Sequence, residues 1–109
     1  MFKKNERLSK SEFSEYFKVG KRHHFPHVTI ITHSIPTRKV AVVVGKKVAK
    51  SAVRRNTLSR RVNAVLKSEL PKTSLSLVIV IVKTGFNTLT KTNAQKAICE
   101  AIAQVAKRT

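Results

Sequence analysis

The 109-residue sequence has no aspartate, no tryptophan and a single cysteine, Cys99. Its only acids are five glutamates, Glu6, Glu12, Glu15, Glu69 and Glu100. Enzyme classes built on paired carboxylates or carboxylate-held metals are therefore mostly excluded. One cysteine excludes an internal disulfide and a cysteine-based zinc site. Long apolar runs are missing as well. The longest, Leu77 to Val82, falls far short of the ~20 residues that cross a bilayer. The opening Met1-Phe2-Lys3-Lys4-Asn5-Glu6-Arg7-Leu8 is basic with no apolar stretch behind it, so no signal peptide is expected. A cytoplasmic protein is the expectation.

What is abundant is positive charge. Lysine and arginine total 23, for a net charge of +18. Self-repulsion on that scale is tolerable when a polyanion neutralises it, and in a cell that points to nucleic acid. With 41% apolar residues the chain can still build a core, and its length suits one domain over 1–109.

Local signals order the chain. Ser9 and Glu12 have capping-box spacing, Leu8 and Phe13 occupy hydrophobic-staple positions, and Gly20 suits the position that ends this first helix. Phe13 and Phe17 are four apart and share a face, with Tyr16 beside them. Residues 21–46 read as strands. His27–His33 is rich in β-branched residues between Pro26 and Pro36, and Lys39–Lys46 is nearly continuous in valine, as for a strand buried on both faces. A turn over Ser34–Arg38 predicts that these two strands form a hairpin.

From Ser51 to about Leu70 the period turns helical, with Leu58, Val62, Val65 and Leu66 as the apolar stripe and Pro71 ending it. Ser74–Lys83 is the clearest strand, too apolar for an exposed edge. Gly85 and Asn87 break it. A last helix carries Ala94, Ala97, Ile98, Ala101, Ile102 and Val105 on one face, with Thr92 and Gln95 spaced as a capping box. The order predicts an α+β fold, a two-layer α/β sandwich running αβββαβα, in which the first strands could also be one broken strand. Parallel pairing of the strands at 39–46 and 75–83 across the central helix would make a βαβ unit.

Charge concentrates in the middle. No acid lies between Glu15 and Glu69, whereas thirteen lysines and arginines do. Eight of them are Lys46, Lys47, Lys50, Arg54, Arg55, Arg60, Arg61 and Lys67. On an ideal helix Asn56, Arg60, Asn63 and Lys67 share a stripe opposite Val62 and Leu66. Arg54 and Arg61 flank the apolar side. Arg55 extrapolates to the core-facing side, so either the first turn is irregular or its stem snorkels outward. A merely solvated helix face would mix its charges at i,i+4, and this one carries a single acid at its last turn. A face of one sign suits a phosphate backbone.

The run Lys46-Lys47-Val48-Ala49-Lys50-Ser51-Ala52-Val53-Arg54-Arg55-Asn56-Thr57-Leu58-Ser59-Arg60-Arg61-Val62 resembles the signature of the bacterial ribonuclease P protein subunit. The opening Arg7-Leu8, Glu12-Phe13, Phe17 and Gly20 and the closing strand and helix are similar to that family too, in matching order over nearly the whole chain. Thr57 stands where the family usually has the second arginine of Arg-Asn-Arg, and Ser59 where a lysine is common. The resemblance implies a mixed sheet with a left-handed βαβ crossover, against the usual rule. It also implies that the partners are ribonuclease P RNA and precursor tRNA, not DNA or a membrane. Catalysis, the removal of the 5′ leader, would belong to the RNA and its Mg2+ ions, with no catalytic residue and no intrinsic metal in the protein. The basic helix would bind the RNA through the eight cations and Asn56. A cleft formed by Phe13, Phe17 and Ile31, rimmed by Lys18, Lys21 and Arg22, would hold the single-stranded leader. As residues alone Phe13 and Phe17 read more readily as core; the resemblance brings the cleft reading level with it.

Other candidates read more plainly. His23, His24, His27 and His33 cluster, but His27 and His33 lie ~20 Å apart along a strand, so base or phosphate contact is a better reading than metal binding. Cys99 reads as a plain thiol. Gly45-Lys46-Lys47 lacks the upstream glycine and spacing of a phosphate loop. A ribosomal-type structural RNA-binding protein and an independent nuclease are the rival readings.

Overall fold

A computed structural model of the chain describes residues 7–108, so the reading of the opening stretch through Glu6 lies outside the described residues. The elements are α1 (Lys10–Val19), β1 (Lys21–His24), β2 (Val28–His33), β3 (Lys39–Val43), α2 (Ala52–Glu69), β4 (Leu77–Val82) and α3 (Lys91–Arg108). Short 3-10 turns at Leu70–Lys72 and Thr84–Thr88 bracket β4. This is the expected αβββαβα order, with β1 and β2 as separate strands.

The sheet order is β1-β2-β4-β3, with β3 parallel to β4 and the other pairs antiparallel. The β3–α2–β4 unit therefore forms as expected. The expected hairpin of β2 with β3 does not form, because β4 lies between them. The reason is burial. β4 reads Leu-Val-Ile-Val-Ile-Val, five of its six residues are buried, and each such side chain is stabilised by roughly 1.5–3 kcal/mol out of water. The most apolar strand takes the centre, where both edges are paired. β3 goes to the outside and ends at Val43; of its residues only Val40 is buried, which corrects the reading of a strand covered on both faces. Its outer edge is met by a bridge from Arg7 and by the Leu8 amide, which donates to the Val40 carbonyl at 3.2 Å. The tight hairpin is instead β1–β2, closed by the Phe25 amide donating to Val28 O at 2.9 Å.

The main core lies between one sheet face and the helices α2 and α3. It takes Val28, Ile30, Val78, Val80 and Val82 from the strands, and the helices contribute the stripes that the periodicity marks, except that Ala97 of α3 is only partly covered. A smaller cluster on the other face holds Ile31, Leu77 and Ile79 beneath Leu8, Phe13, Tyr16 and Phe17. The capping box of α1 is present: Ser9 N donates to Glu12 Oε1 at 3.0 Å, and Glu12 N to Ser9 Oγ at 3.2 Å. At α3 the cap is Thr90, which accepts from Asn93 N at 3.2 Å, and not the expected Thr92. Gly20 ends α1 in extended backbone, with φ −68°. It is needed for space: a Cβ there would overlap Ile31 Cγ2 and stand 2.7 Å from the Tyr16 carbonyl oxygen.

Candidate nucleic-acid interface

Two sets of residues converge near the ends of β3 and β4: an aromatic helix face and a basic arm. Register fixes the first. Arg22, Ile31, Ile79 and Ala41 are partners across the four strands, and the next row toward the β4 C-terminus is His24, Thr29, Ile81 and Val43. Helix α1 covers the former row, so that Ile31 and Ile79 are fully buried. The latter row is more open, with His24 exposed and Ile81 and Val43 half-buried. His24 Nδ1 lies 3.2 Å from Thr29 Oγ1 and shields it.

The aromatic residues of the helix are spread along the covered face. Tyr16 stacks near His33, whose partner is Leu77 at the far end of the covered face, with ring centroids 5.3 Å apart. Phe17 instead meets Arg22, one row nearer the opening: the guanidinium lies 4.4 Å from the ring centroid, and Nη2 donates to the Phe17 carbonyl at 2.9 Å. Phe13 follows, its ring centroid 5.6 Å from that of Phe17. Both phenylalanines are half-buried, so each anchors α1 on the sheet and leaves part of its side chain uncovered. Lys18 is exposed on the last turn of α1. Two expectations change. Ile31, expected on the cleft floor, is 0% exposed beneath Gly20 and α1 and supports the floor from below. Lys21 pairs with Thr32 and so alternates to the opposite sheet face from Arg22.

The basic arm begins three residues beyond Val43. Lys46, Lys47 and Lys50 are exposed on the loop into α2, and Asn56, Arg60 and Lys67 are exposed along the helix; Arg61 is partly covered. Two arginines of this run hold the scaffold. Arg54 Nε donates to Asn87 Oδ1 at 2.7 Å and its Nη2 to Asn87 O at 3.1 Å, tying α2 to the turn after β4. Arg55 Nη1 donates to the carbonyls of Ala49 and Lys50 at 2.9 and 2.8 Å. The helix is regular there, capped by Ser51, so the stem of Arg55 reaches out of the apolar side and clamps the lysine loop. Val53, 76% exposed, adds an apolar surface among these cations. At the departure from the family motif, Thr57 Oγ1 donates to Val53 O at 3.0 Å.

Sequence reasoning missed the open row, because its residues come together only through strand register. It also missed Asn87, whose sole sequence signal was that of a strand breaker. Arg38 was missed too: it donates from Nε to Leu75 O and from Nη2 to Thr73 O, both at 3.1 Å, and so fixes the approach to β4.

The four histidines do not converge. His23 is 3% exposed on the helix side of the sheet, between Thr32 and Arg108, whereas His24 and His33 are exposed on the α1 side. Among the described residues no three His, Cys, Asp or Glu side chains are grouped to hold a metal ion. Cys99 is partly covered against the core; burial, then its hydrogen bond to Glu69, pushes its thiol above the ordinary range. Lys72 lies 2.9 Å from Glu69 and, with Cys99, holds that carboxyl below its usual range. Among the described residues no helix is long and apolar enough to cross a membrane.

The Ribonuclease P family model matches residues 2–106. The Ribonuclease P protein component of Microcystis aeruginosa is 32% identical over 83 residues, covering 70% of this chain and 69% of that protein. A mutant RNase P protein of Staphylococcus aureus superposes with a TM-score of 0.84 at 22% identity, over 95% of this chain and 90% of its own. The RNase P protein of Thermotoga maritima gives 0.76 at 20% identity, over 95% and 97%. On the extent of the family match and the identity to a ribonuclease P protein component, this chain belongs to the ribonuclease P protein family.

Proposed function

We propose that this chain, as one domain, is the cytoplasmic RNA-binding subunit of ribonuclease P and acts in 5′ maturation of precursor tRNA. The observation that carries this reading is the adjacency of two surfaces. An aromatic pair with an arginine on one ring borders an open sheet row, and that row runs out into an exposed lysine loop and helix. Unpaired bases stack on aromatic rings inside basic grooves, each stack worth ~1–3 kcal/mol, whereas duplex phosphates favour a rigid cationic face. The first surface suits the single-stranded 5′ leader, through Phe13, Phe17, Arg22 and Lys18. The second suits the RNA subunit, through Lys46, Lys47, Lys50, Asn56, Arg60, Arg61 and Lys67, with Arg54 and Arg55 holding them in place. In this reading the hydrolytic step and its Mg2+ ions belong to the RNA, and the protein holds substrate against it.

Precursor-tRNA cleavage at low magnesium tests the assignment. The protein is expected to stimulate cleavage only when ribonuclease P RNA is present. Cleavage by the protein alone would make it an independent nuclease, and no effect in either case would favour a structural, ribosomal-type protein. For the groove, Phe17→Ala should weaken holoenzyme binding of precursor tRNA roughly tenfold, as for one lost stack, and leave mature tRNA unchanged. Equal loss for both substrates with a large drop in melting temperature would make the phenylalanines core alone.

A further inference from the structure

Around the edge of the sheet from the open row lies a second groove, of about 450 Å3, between the β1–β2 turn and α3. Its helix wall centres on one stripe of α3, Asn93, Ala97, Glu100 and Gln104, spaced i, i+4, i+7, i+11, with Ala101 at its base. Ala97 leaves room, and the other three side chains of the stripe are hydrogen-bonding groups with little apolar surface of their own. Phe25 forms the opposite wall, half-buried against the core. Three cations stand at this wall, one of them at the ring itself. Lys83 Nζ donates to the Phe25 carbonyl at 2.6 Å, the Arg108 guanidinium lies 5.5 Å from the ring centroid, and Lys96 stands on the rim.

The groove continues the first surface. β1 is the outer strand on this side, and Arg22 and His24 belong to the face that α1 covers. Phe25 is the next residue and packs on the other side, against the main core. A strand lying across the row from Val43 to His24 covers three strand spacings, ~14 Å. Carried past His24, it turns the sheet edge at Phe25.

The chemistry of the walls selects the occupant. An amide, a second amide and a carboxylate can read the donor and acceptor edge of a base, with amides suited to adenine and a carboxylate to the amino group of cytosine. Phe25 offers a stacking surface, and the three cations suit the phosphates on either side. A strongly acidic peptide would meet Glu100 in the groove. We infer that the groove between Phe25 and α3 is a second single-stranded RNA subsite, which receives an unpaired base from the part of the leader beyond the nucleotides that fill the open row. This rests on the leader reading of the α1 groove.

The test uses the holoenzyme and precursor tRNAs whose leaders are lengthened one nucleotide at a time, with dissociation constants measured for each. Phe25→Leu keeps apolar volume and removes the stacking ring. The double variant Asn93→Ala/Gln104→Ala changes only exposed side chains and decides the matter if Phe25→Leu melts early. Both variants are expected to bind short-leader substrate and mature tRNA like the parent, and to lose about tenfold in affinity for long leaders. Phe17→Ala, run in parallel, should weaken short and long leaders alike. If Phe17→Ala shows that loss and the groove variants bind all leaders like the parent, the second subsite is wrong and the first groove stands. If the groove variants lose long leaders while Phe17→Ala has no effect, the α1 groove reading fails and the RNA site at Phe25 remains. Equal loss for every substrate, mature tRNA included, would overturn the subsite as well.

Discussion

Lys39 Nζ lies 2.6 Å from Glu12 Oε2, joining the first turn of α1 to the start of the outer strand β3. Glu12 thereby has two tasks: it completes the helix cap and fastens the aromatic helix over the sheet. Lys39 first, and the Ser9 amide and hydroxyl after it, lower its carboxyl from 4.5 to about 2. Between those two values the unfolded chain binds more protons than the folded one. The stabilisation is therefore complete above about 4.5 and is lost as pH falls toward 2. Glu12→Gln keeps a capping oxygen and removes the charge. Its melting temperature should be modestly lower than the parent's at pH 7, as expected for a partly exposed pair, and the difference should shrink at pH 3. A constant difference at both pH values would show that the Lys39 pair contributes nothing.

Arg55 and Arg60 should separate by their salt response. If Lys46, Lys47, Lys50, Arg60, Arg61 and Lys67 neutralise about six phosphates, log affinity for the RNA subunit should fall against log salt with a slope of roughly −4 to −5. Arg60→Ala should flatten that slope by about one unit. Arg55→Lys keeps its charge but replaces the guanidinium that spans the carbonyls of Ala49 and Lys50. It should weaken binding with the slope nearly intact, because the phosphate contacts remain while their loop is less well held. Titrations of both variants over a salt series give the two slopes directly.

Gly20→Ala should destabilise the fold by about 1–3 kcal/mol, the usual range for overpacking. The added methyl would overlap the Ile31 side chain and the Tyr16 carbonyl oxygen, and backbone cannot yield as a side-chain end can. Because Gly20 has negative φ, no conformational penalty adds to the steric one. Denaturant unfolding measures the loss. A parent-like midpoint would mean that α1 can lift from the sheet without cost, and the groove beside it would then lack a fixed wall.

These features were not equally legible in the sequence. The cap at Ser9–Glu12 and the stripe Leu58, Val62, Val65, Leu66 depend on residues close together along one helix, and helical period states them directly. The position of β4 between β2 and β3 depends on competition among three apolar strands for the centre, and no local turn signal reports it. The Ser34–Arg38 turn favoured a hairpin; the burial demand of Leu77–Val82 prevailed. The open row was invisible for the same reason, since His24, Thr29, Ile81 and Val43 meet only once the register is set. Arg54 and Arg55 count toward a basic face, yet both donate to backbone or amide oxygens of neighbouring loops, a use that composition cannot separate from phosphate binding.

His23 supplies the last prediction. Arg108 Nη1 can only donate, so His23 Nδ1, 3.4 Å away, accepts; Nε2 then carries the proton and donates to Thr32 Oγ1 at 3.3 Å. That arrangement requires the neutral ring. Burial first, and then the charges of Arg108 and Lys21, hold its pKa below the ordinary 6.5. In the window just below 6.5 the unfolded chain binds the proton more readily, so stability is full above that pH and declines as pH falls through it. His23→Gln retains a hydrogen-bonding side chain and cannot titrate. Relative to its own value at pH 7.5, the parent should lose more melting temperature at pH 5.5 than the variant does. Because Arg108 is the last residue of α3, the parent should also show faster amide exchange in that final turn at pH 5.5 once the intrinsic pH dependence of exchange is removed. Parallel losses in parent and variant would show that His23 is not the group that titrates.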